Sequence, residues 1–248
     1  AIWSLYRRSF ERLDPIMLRV VANLDLLFSD RPLRDRFAAA RDAGFDRVEM
    51  SSPYDMSIRD LDRALTKNHL ELSLICTPLG SKTAGEFGFM GVPRRIADFR
   101  SGFLKALEYA EALEVDIIHL MAGNADISRA QKMLTRNLAW AAYNAPNKIL
   151  TLGPVRSGDA SEYAIRGFDH TLELIDWIGA PNLGLHFDAQ FADQSAGDIE
   201  GAWERYGPRA CHLELAGAAL DETAFLATLR KCEYDGVVSA QKAPETVL

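Results

Sequence analysis

The chain has 248 residues, 48% of them hydrophobic, and a formal net charge of -7. This length suits one large domain with a sizeable core. The acidic balance argues against sequence-independent binding of nucleic acid or of an anionic membrane, and no apolar run approaches the roughly 20 residues that cross a bilayer.

Cysteine usage and the first residues bear on the compartment. Cys76, Cys211 and Cys232 have no CxxC spacing, and two of them fall in predicted strands. This pattern is typical of reduced core cysteines, and the first residues lack the order of a signal peptide. We therefore expect a cytoplasmic protein, with neither nucleic acid nor a membrane as its partner. The sequence leaves a homo-oligomer open.

The first 16 residues predict a helical extension. Over 2–13, apolar side chains recur at helical spacing, and Pro15 follows. These side chains are Trp3, Tyr6, Phe10 and Leu13. The few residues after Gln241 cannot form the helix that normally covers the eighth strand of a barrel. We expect the extension to pack beside strands one and eight in place of this missing or truncated helix.

Strands and helices alternate through the remaining residues, 17–248, which we predict to form one domain. Strands are predicted at 18–23, 46–50, 71–77, 115–121, 148–153, 183–188, 210–215 and 236–241. Helices are predicted at 32–43, 57–67, 95–113, 126–143, 168–179, 198–206 and 221–232. Eight such units predict an α/β fold of the (β/α)8 TIM-barrel type. An open doubly wound sheet is the alternative, but no GxGxxG turn follows the first strand.

The longest irregular stretch, 78–95, is rich in glycine and aromatic residues. It contains Gly80, Gly85, Gly88 and Gly91, with Phe87, Phe89 and Met90 between them. Loops of this length in a compact domain are often functional. We therefore predict that it acts as a lid over a bound ligand.

Three consecutive predicted strands near the end of the chain carry polar residues in alternation with apolar ones. The residues that share a face are His186 with Asp188, His212 with Glu214, and Ser239 with Gln241. Because neighbouring parallel strands end at the same edge, these side chains are expected to meet at the C-terminal mouth of the barrel. Buried carboxylates there need a cation, a cationic side chain or a shared proton.

Several motifs resemble hydroxypyruvate isomerase and its 2-oxotetronate isomerase relatives, which belong to the xylose isomerase-like barrels. They are VANLDLLF at 21–28, RFAAA at 36–40, VE at 48–49, PYD at 53–55, AGE at 84–86, HLMAG at 119–123 and PNL at 181–183. The resemblance covers about residues 17–244. It implies an isomerase or epimerase that acts on a small hydroxylated keto acid or sugar through an enediolate. The predicted substrate contacts are Glu49, Tyr54, Glu86, His119 and Arg156.

The resemblance also implies a divalent metal, held by residues at the tips of strands five to eight, and two glutamates that transfer the proton. At these positions the chain has Gly153 for glutamate, Asp188, Glu214 for glutamine, and Gln241 for glutamate. Both expected proton-transfer residues are therefore replaced. The predicted metal site is Asp188, Glu214 and Gln241, binding Mg²⁺, Mn²⁺ or Zn²⁺ with weakened affinity.

The altered positions leave several interpretations open. Glu214, His186 and Lys242 are the candidate catalytic residues. In another interpretation, His186 and His212 join the carboxylates of Asp188 and Glu214 in a Zn²⁺ or Fe²⁺ site, with the histidine pair and the carboxylate pair about 6.6 Å apart along the strands. Alternatively, Lys242 or Arg156 forms a salt bridge in place of the metal, and His212 is a structural histidine. The sequence favours a divergent enzyme, and the alternatives are a metal-free binding or scaffold protein and a changed reaction in the retained pocket.

Overall fold

The structure is a computed structural model that describes residues 18–155, 162–215 and 220–240. Five predictions fall outside these ranges. They are the extension over 1–16, the missing or truncated helix after Gln241, and the site residues Arg156, Gln241 and Lys242.

Eight parallel strands form a closed barrel in chain order, which confirms the predicted fold. The strands are β1 Arg19–Asn23, β2 Arg47–Met50, β3 Glu71–Cys76, β4 Ile117–His119, β5 Ile149–Leu152, β6 Leu183–Asp188, β7 Ala210–Glu214 and β8 Val237–Ser239. The helices within the described ranges are α1 Leu33–Asp42, α2 Ile58–Asn68, α3 Ile96–Ala112, α4 Ile127–Asn144, α5 Phe168–Ile178, α6 Ala189–Ala196, α7 Ile199–Tyr206 and α8 Glu222–Lys231. None of these helices is long and apolar enough to span a bilayer.

The prediction of a single helix between β6 and β7 is wrong, because two helices lie there. The first, α6, begins directly after Asp188, whose side chain accepts hydrogen bonds from the first amides of the helix. It ends at Gly197, which adopts a left-handed conformation with φ 65°. A capping aspartate and a terminating glycine are the usual signals of a helix, and both are present in the sequence.

The barrel has a hydrophobic layer outside the sheet and a smaller apolar cluster inside it. On the outside, the Phe187 ring stacks on Phe168 at 4.8 Å and meets Trp203 edge-on at 5.2 Å between centroids. The inner cluster consists of Val21, Leu74, Cys76, Ile117, Met121 and Val237. These strand residues alternate with the outward ones, as the period of two requires. Polar residues occupy the next inward positions along β1, β4 and β8.

The loop over 78–95 is bound to the end of β4 by main-chain hydrogen bonds. The amides of Met90 and Gly91 donate to the carbonyls of Met121 and Ala122 over 3.2 and 2.7 Å, and the amide of Gly88 donates within the loop to the carbonyl of Leu79 over 2.7 Å. Gly88 has φ 98°, and a Cβ there would lie 2.3 Å from the carbonyl oxygen of Met121, so the close approach requires glycine. The half of the loop that contains these residues is part of the barrel rim. The lid prediction therefore applies only to the half before Gly88.

Candidate active site

Polar side chains from seven strands converge inside the C-terminal end of the barrel, where TIM barrels place their active sites. This polar cluster consists of Asn23, Glu49, His119, Thr151, His186, Asp188, His212, Glu214 and Ser239. All are buried except His186, which is half-buried. The strand register pairs His186 with His212, Asp188 with Glu214, and Glu214 with Ser239. The predicted convergence of β6, β7 and β8 is thus confirmed for these residues.

Two carboxyl groups form the centre of the polar cluster. Glu49 and Glu214 lie within hydrogen-bonding reach of each other. Asn23 Nδ2 donates to Glu214 Oε2 over 3.1 Å, and His212 Nε2 lies 2.6 Å from Glu49 Oε2. Two carboxylates in contact in a buried site favour holding a proton between them. Burial raises the pKa of Glu49 to about 7, and Asp25 adds to the rise, whereas hydrogen bonding to Ser239, Glu214 and Asn23 opposes it.

His212 is held in its neutral form by the same burial. Its ring is fully buried, and this desolvation lowers the pKa of His212 to about 3, although the charge of Asp188 opposes the shift. Burial thus disfavours the charged form of both partners in the Glu49 and His212 contact. At neutral pH the contact is therefore a hydrogen bond that shares a proton, not a buried ion pair.

A pH dependence of stability follows from the raised pKa of Glu49. A glutamate in the unfolded chain has a pKa of about 4.3, so between that value and about 7 the folded protein binds the proton more tightly. The stabilisation is complete below about pH 4 and is lost as the pH rises through 7. We expect the stability advantage of the wild type over Glu49→Gln to shrink by about 1 kcal/mol from pH 6 to pH 8 in urea unfolding. A difference that does not change with pH would contradict the shift.

Three histidine rings form a stack across the inside of the barrel. The centroids of His119 and His186 are 4.4 Å apart, and those of His186 and His212 are 4.6 Å apart with planes only 9° from parallel. Thr151 Oγ1 lies 3.1 Å from His119 Nδ1. Burial, and then the two other histidines, hold the pKa of His119 well below its usual range. Because the nitrogen lone pairs of His186 and His212 lie in nearly parallel planes, the two rings do not converge on one ion.

Asp188 has a structural task at the end of β6. Its Oδ1 accepts hydrogen bonds from the amides of Gln190 and Phe191 over 2.9 and 3.0 Å, which caps helix α6. A carboxylate at a helix N-terminus also interacts favourably with the helix dipole. The residue that the resemblance presents as a metal ligand is therefore also a helix cap.

The capping role predicts how substitutions at Asp188 rank. We expect Asp188→Ala to lower the free energy of unfolding by about 1 kcal/mol, because two amides lose their acceptor. Asp188→Asn keeps a capping oxygen and should lose clearly less. Urea unfolding of both variants measures this ranking. Equal losses would mean that the charge of Asp188, and not its cap, stabilises the fold.

Two predicted substrate contacts, Glu86 and Tyr54, are held by hydrogen bonds to neighbouring residues. Glu86 accepts from the amide of Ser81 over 2.7 Å and from Arg95 Nη1 over 2.8 Å. The Ser81 amide and then Arg95 lower the pKa of Glu86. Tyr54 donates its hydroxyl to the main-chain carbonyl of Cys76. Glu49 and His119, in contrast, belong to the polar cluster. Contact of any of these four with substrate stays a prediction.

The described residues do not fit a divalent metal. Among them, no three histidine, cysteine, aspartate or glutamate side chains are grouped as ligands would be. At Gly153 a Cβ atom would lie 2.5 Å from the main-chain oxygen of His186, so this position has no space for a ligand side chain unless the backbone moves. The predicted third ligand, Gln241, lies outside the described ranges. The combined histidine and carboxylate site for Zn²⁺ or Fe²⁺ is likewise not formed.

Sequence reasoning missed several members of the polar cluster. Asn23 and Thr151 were not predicted as site residues, and the contact between Glu49 and His212 was not foreseen. Asn23 closes the apolar strand β1, and a polar residue at the C-terminal end of a barrel strand is a signal that could have found it. The pairing across the barrel had no such signal, because 163 residues separate its partners.

A separate groove lies at the opposite end of the barrel. Its volume is about 840 Å³, and it is lined by residues of the loops that lead into β6, β7 and β8, among them Ala180, Pro208 and Glu233. None of the predicted site residues lines it. The N-terminal face of a TIM barrel usually serves stability, so this groove is not the candidate active site.

Comparison with known proteins identifies the family. Residues 37–243 match a family described as "Xylose isomerase-like TIM barrel". This match runs from α1 through the last strand of the barrel and covers most of the chain. The chain belongs to this family.

Individual proteins resemble the chain over most of their length. It is 34% identical to the 2-oxo-tetronate isomerase of Cupriavidus necator, over 81% of this chain and 80% of that protein. It is 28% identical to the hydroxypyruvate isomerase of Escherichia coli, over 93% and 95% of the two chains. The crystal structure of "AP endonuclease, family 2" from Brucella melitensis superposes with a TM-score of 0.84 at 26% identity, covering 94% and 97%. Two of these three relatives are named as isomerases.

Proposed function

We propose that this protein is an isomerase or epimerase that acts on a small hydroxylated keto acid or sugar at the polar cluster. The contact between the carboxyl groups of Glu49 and Glu214 at the C-terminal mouth is the observation that carries the proposal. It supplies a carboxylate and a proton in the place where this fold binds its substrates. The relatives named as isomerases support the same reaction class.

In the proposed reaction, Glu214 takes a proton from the carbon next to the substrate carbonyl. The electron pair of the broken C–H bond forms the C=C bond of an enediol, while the carbonyl oxygen receives a proton from a neutral donor. We assign the role of this donor to His186, because its side chain is half-buried whereas His119 and His212, the other two members of the histidine stack, are buried. Isomerisation is completed when the proton adds to the former carbonyl carbon while the hydroxyl on the neighbouring carbon gives its proton to the donor and becomes the new carbonyl. Epimerisation is completed when a proton adds to the other face of the original carbon and the first oxygen gives its proton back to the donor.

The second carboxyl group gives Glu214 the correct protonation state for this task. Glu49 holds a proton with a pKa of about 7, so near neutral pH one proton is distributed over the pair. Asn23 fixes the orientation of the Glu214 carboxyl by donating to Oε2. A pair of carboxyl groups that shares one proton near the working pH is suited to remove and to return a proton.

Exchange of substrate hydrogens in D2O tests the proposal. We expect the protein to replace the hydrogen at the carbon next to the carbonyl of hydroxypyruvate, of 2-oxotetronate or of a small ketose with deuterium, as seen by proton NMR. Exchange without a new product would favour the changed reaction that the sequence left open. No exchange with any of these probes would favour a binding or scaffold role and would overturn the proposal.

A further inference from the structure

The backbone at Gly153 has no space for a side chain at the position where the resemblance implies a glutamate ligand. A Cβ at Gly153 would lie 2.5 Å from the carbonyl oxygen of His186 and 3.4 Å from its carbonyl carbon. Both are main-chain atoms of β6, which cannot rotate away as a flexible side chain would. A glutamate at this position therefore requires β5 and β6 to move apart.

The two described carboxylates at the predicted metal site are both engaged by protein atoms. Asp188 uses Oδ1 for the two amides at the start of α6. Glu214 uses Oε2 for Asn23 and contacts the carboxyl group of Glu49. Glu49 in turn lies against His212 at 2.6 Å. This arrangement satisfies buried carboxyl groups by hydrogen bonds, which a metal ion would have to displace.

We infer that this site works without a divalent cation. The buried carboxyl groups of the site are stabilised instead by hydrogen bonds among Asn23, Glu49, His212 and Glu214. The replacement of the family's glutamine by Glu214 fits this inference, because the carboxyl group contacts Glu49 directly. The inference concerns the site of the proposed function. The experiment that tests the inference measures bound metal and stability, not turnover, so failure of the inference can be distinguished from failure of the proposed function.

Elemental mass spectrometry of the full-length protein, purified without chelator, tests the inference. The protein is analysed as purified and again after incubation with Mn²⁺, Mg²⁺, Zn²⁺ or Fe²⁺ followed by gel filtration. We expect it to retain no more of any metal than Asp188→Asn does, and its melting temperature to be the same in EDTA as in excess Mn²⁺. The Asp188→Asn variant keeps the helix cap, so it is expected to fold and serves as the matched control.

Metal binding by the wild type would contradict the inference in two measurable ways. Close to one metal ion per chain that is absent from Asp188→Asn would overturn the inference. A rise in melting temperature with Mn²⁺ in the wild type, but not in Asp188→Asn, would also overturn it, because a ligand that binds only the folded state stabilises it.

Discussion

Glu214→Gln is expected to lower kcat/KM for the proposed isomerisation by at least about 100-fold, which is the usual contribution of a positioned general base. The change also gives the chain the glutamine that the family resemblance implies at this position. An amide can still accept a hydrogen bond from Asn23, but it cannot take a proton from carbon. The variant thus carries the implied family residue and is nevertheless expected to be less active. Steady-state kinetics, with the substrate whose hydrogen is exchanged, measures the fall in kcat/KM.

The matched control for this prediction is Glu108→Gln, an identical chemical change on the exposed face of α3. We expect its kcat/KM to equal that of the wild type. If Glu214→Gln is as active as Glu108→Gln, then Glu214 is not the base. Glutamine would in that case suffice at this position, and the carboxylate in this chain would have no catalytic consequence.

Gly153→Ala is expected to destabilise the protein by about 1–3 kcal/mol, the usual cost of forcing extra atoms into a packed site. For a chain of this size, this corresponds to a fall in melting temperature of roughly 3–10 °C. The physical reason is the 2.5 Å approach of the new methyl group to the carbonyl oxygen of His186. Thermal unfolding followed by circular dichroism at neutral pH measures the change.

Gly167→Ala is the control for the glycine substitution. Gly167 has an extended backbone with φ 171°, and a Cβ there would have no neighbour within 4 Å. We therefore expect its melting temperature to stay near that of the wild type. Should both variants melt alike, β5 and β6 can separate without cost, and the steric argument against a ligand at position 153 fails.

The barrel itself could be predicted from the sequence because its signals are local and repeated. Each strand is a short apolar run, and glycine or proline ends many of the helices, so eight units were recognisable without any knowledge of contacts. The first helix after β6, α6, was missed, since Asp188 was interpreted only as a strand-tip ligand although it also caps this helix. One residue can serve both purposes, and a motif does not reveal this.

The candidate site could be predicted only in part. Alternation along β6 and β7 correctly placed His186, Asp188, His212 and Glu214 on the inner face of the barrel. The contacts of Glu49 with Glu214 and His212 join β2 to β7, and no sequence pattern encodes which inward side chains meet across a barrel. The steric closure at Gly153 likewise depends on the separation of two backbones, which only the structure contains.

The most direct test of the central claim is α-proton exchange by the EDTA-treated wild-type protein in D2O, compared with Glu214→Gln. We predict that the wild type exchanges the α-hydrogen of its substrate at the same rate with EDTA as without it, and that Glu214→Gln exchanges it at least about 100 times more slowly. Exchange that stops in EDTA and returns with Mn²⁺ would contradict a carboxylate site that works without a metal.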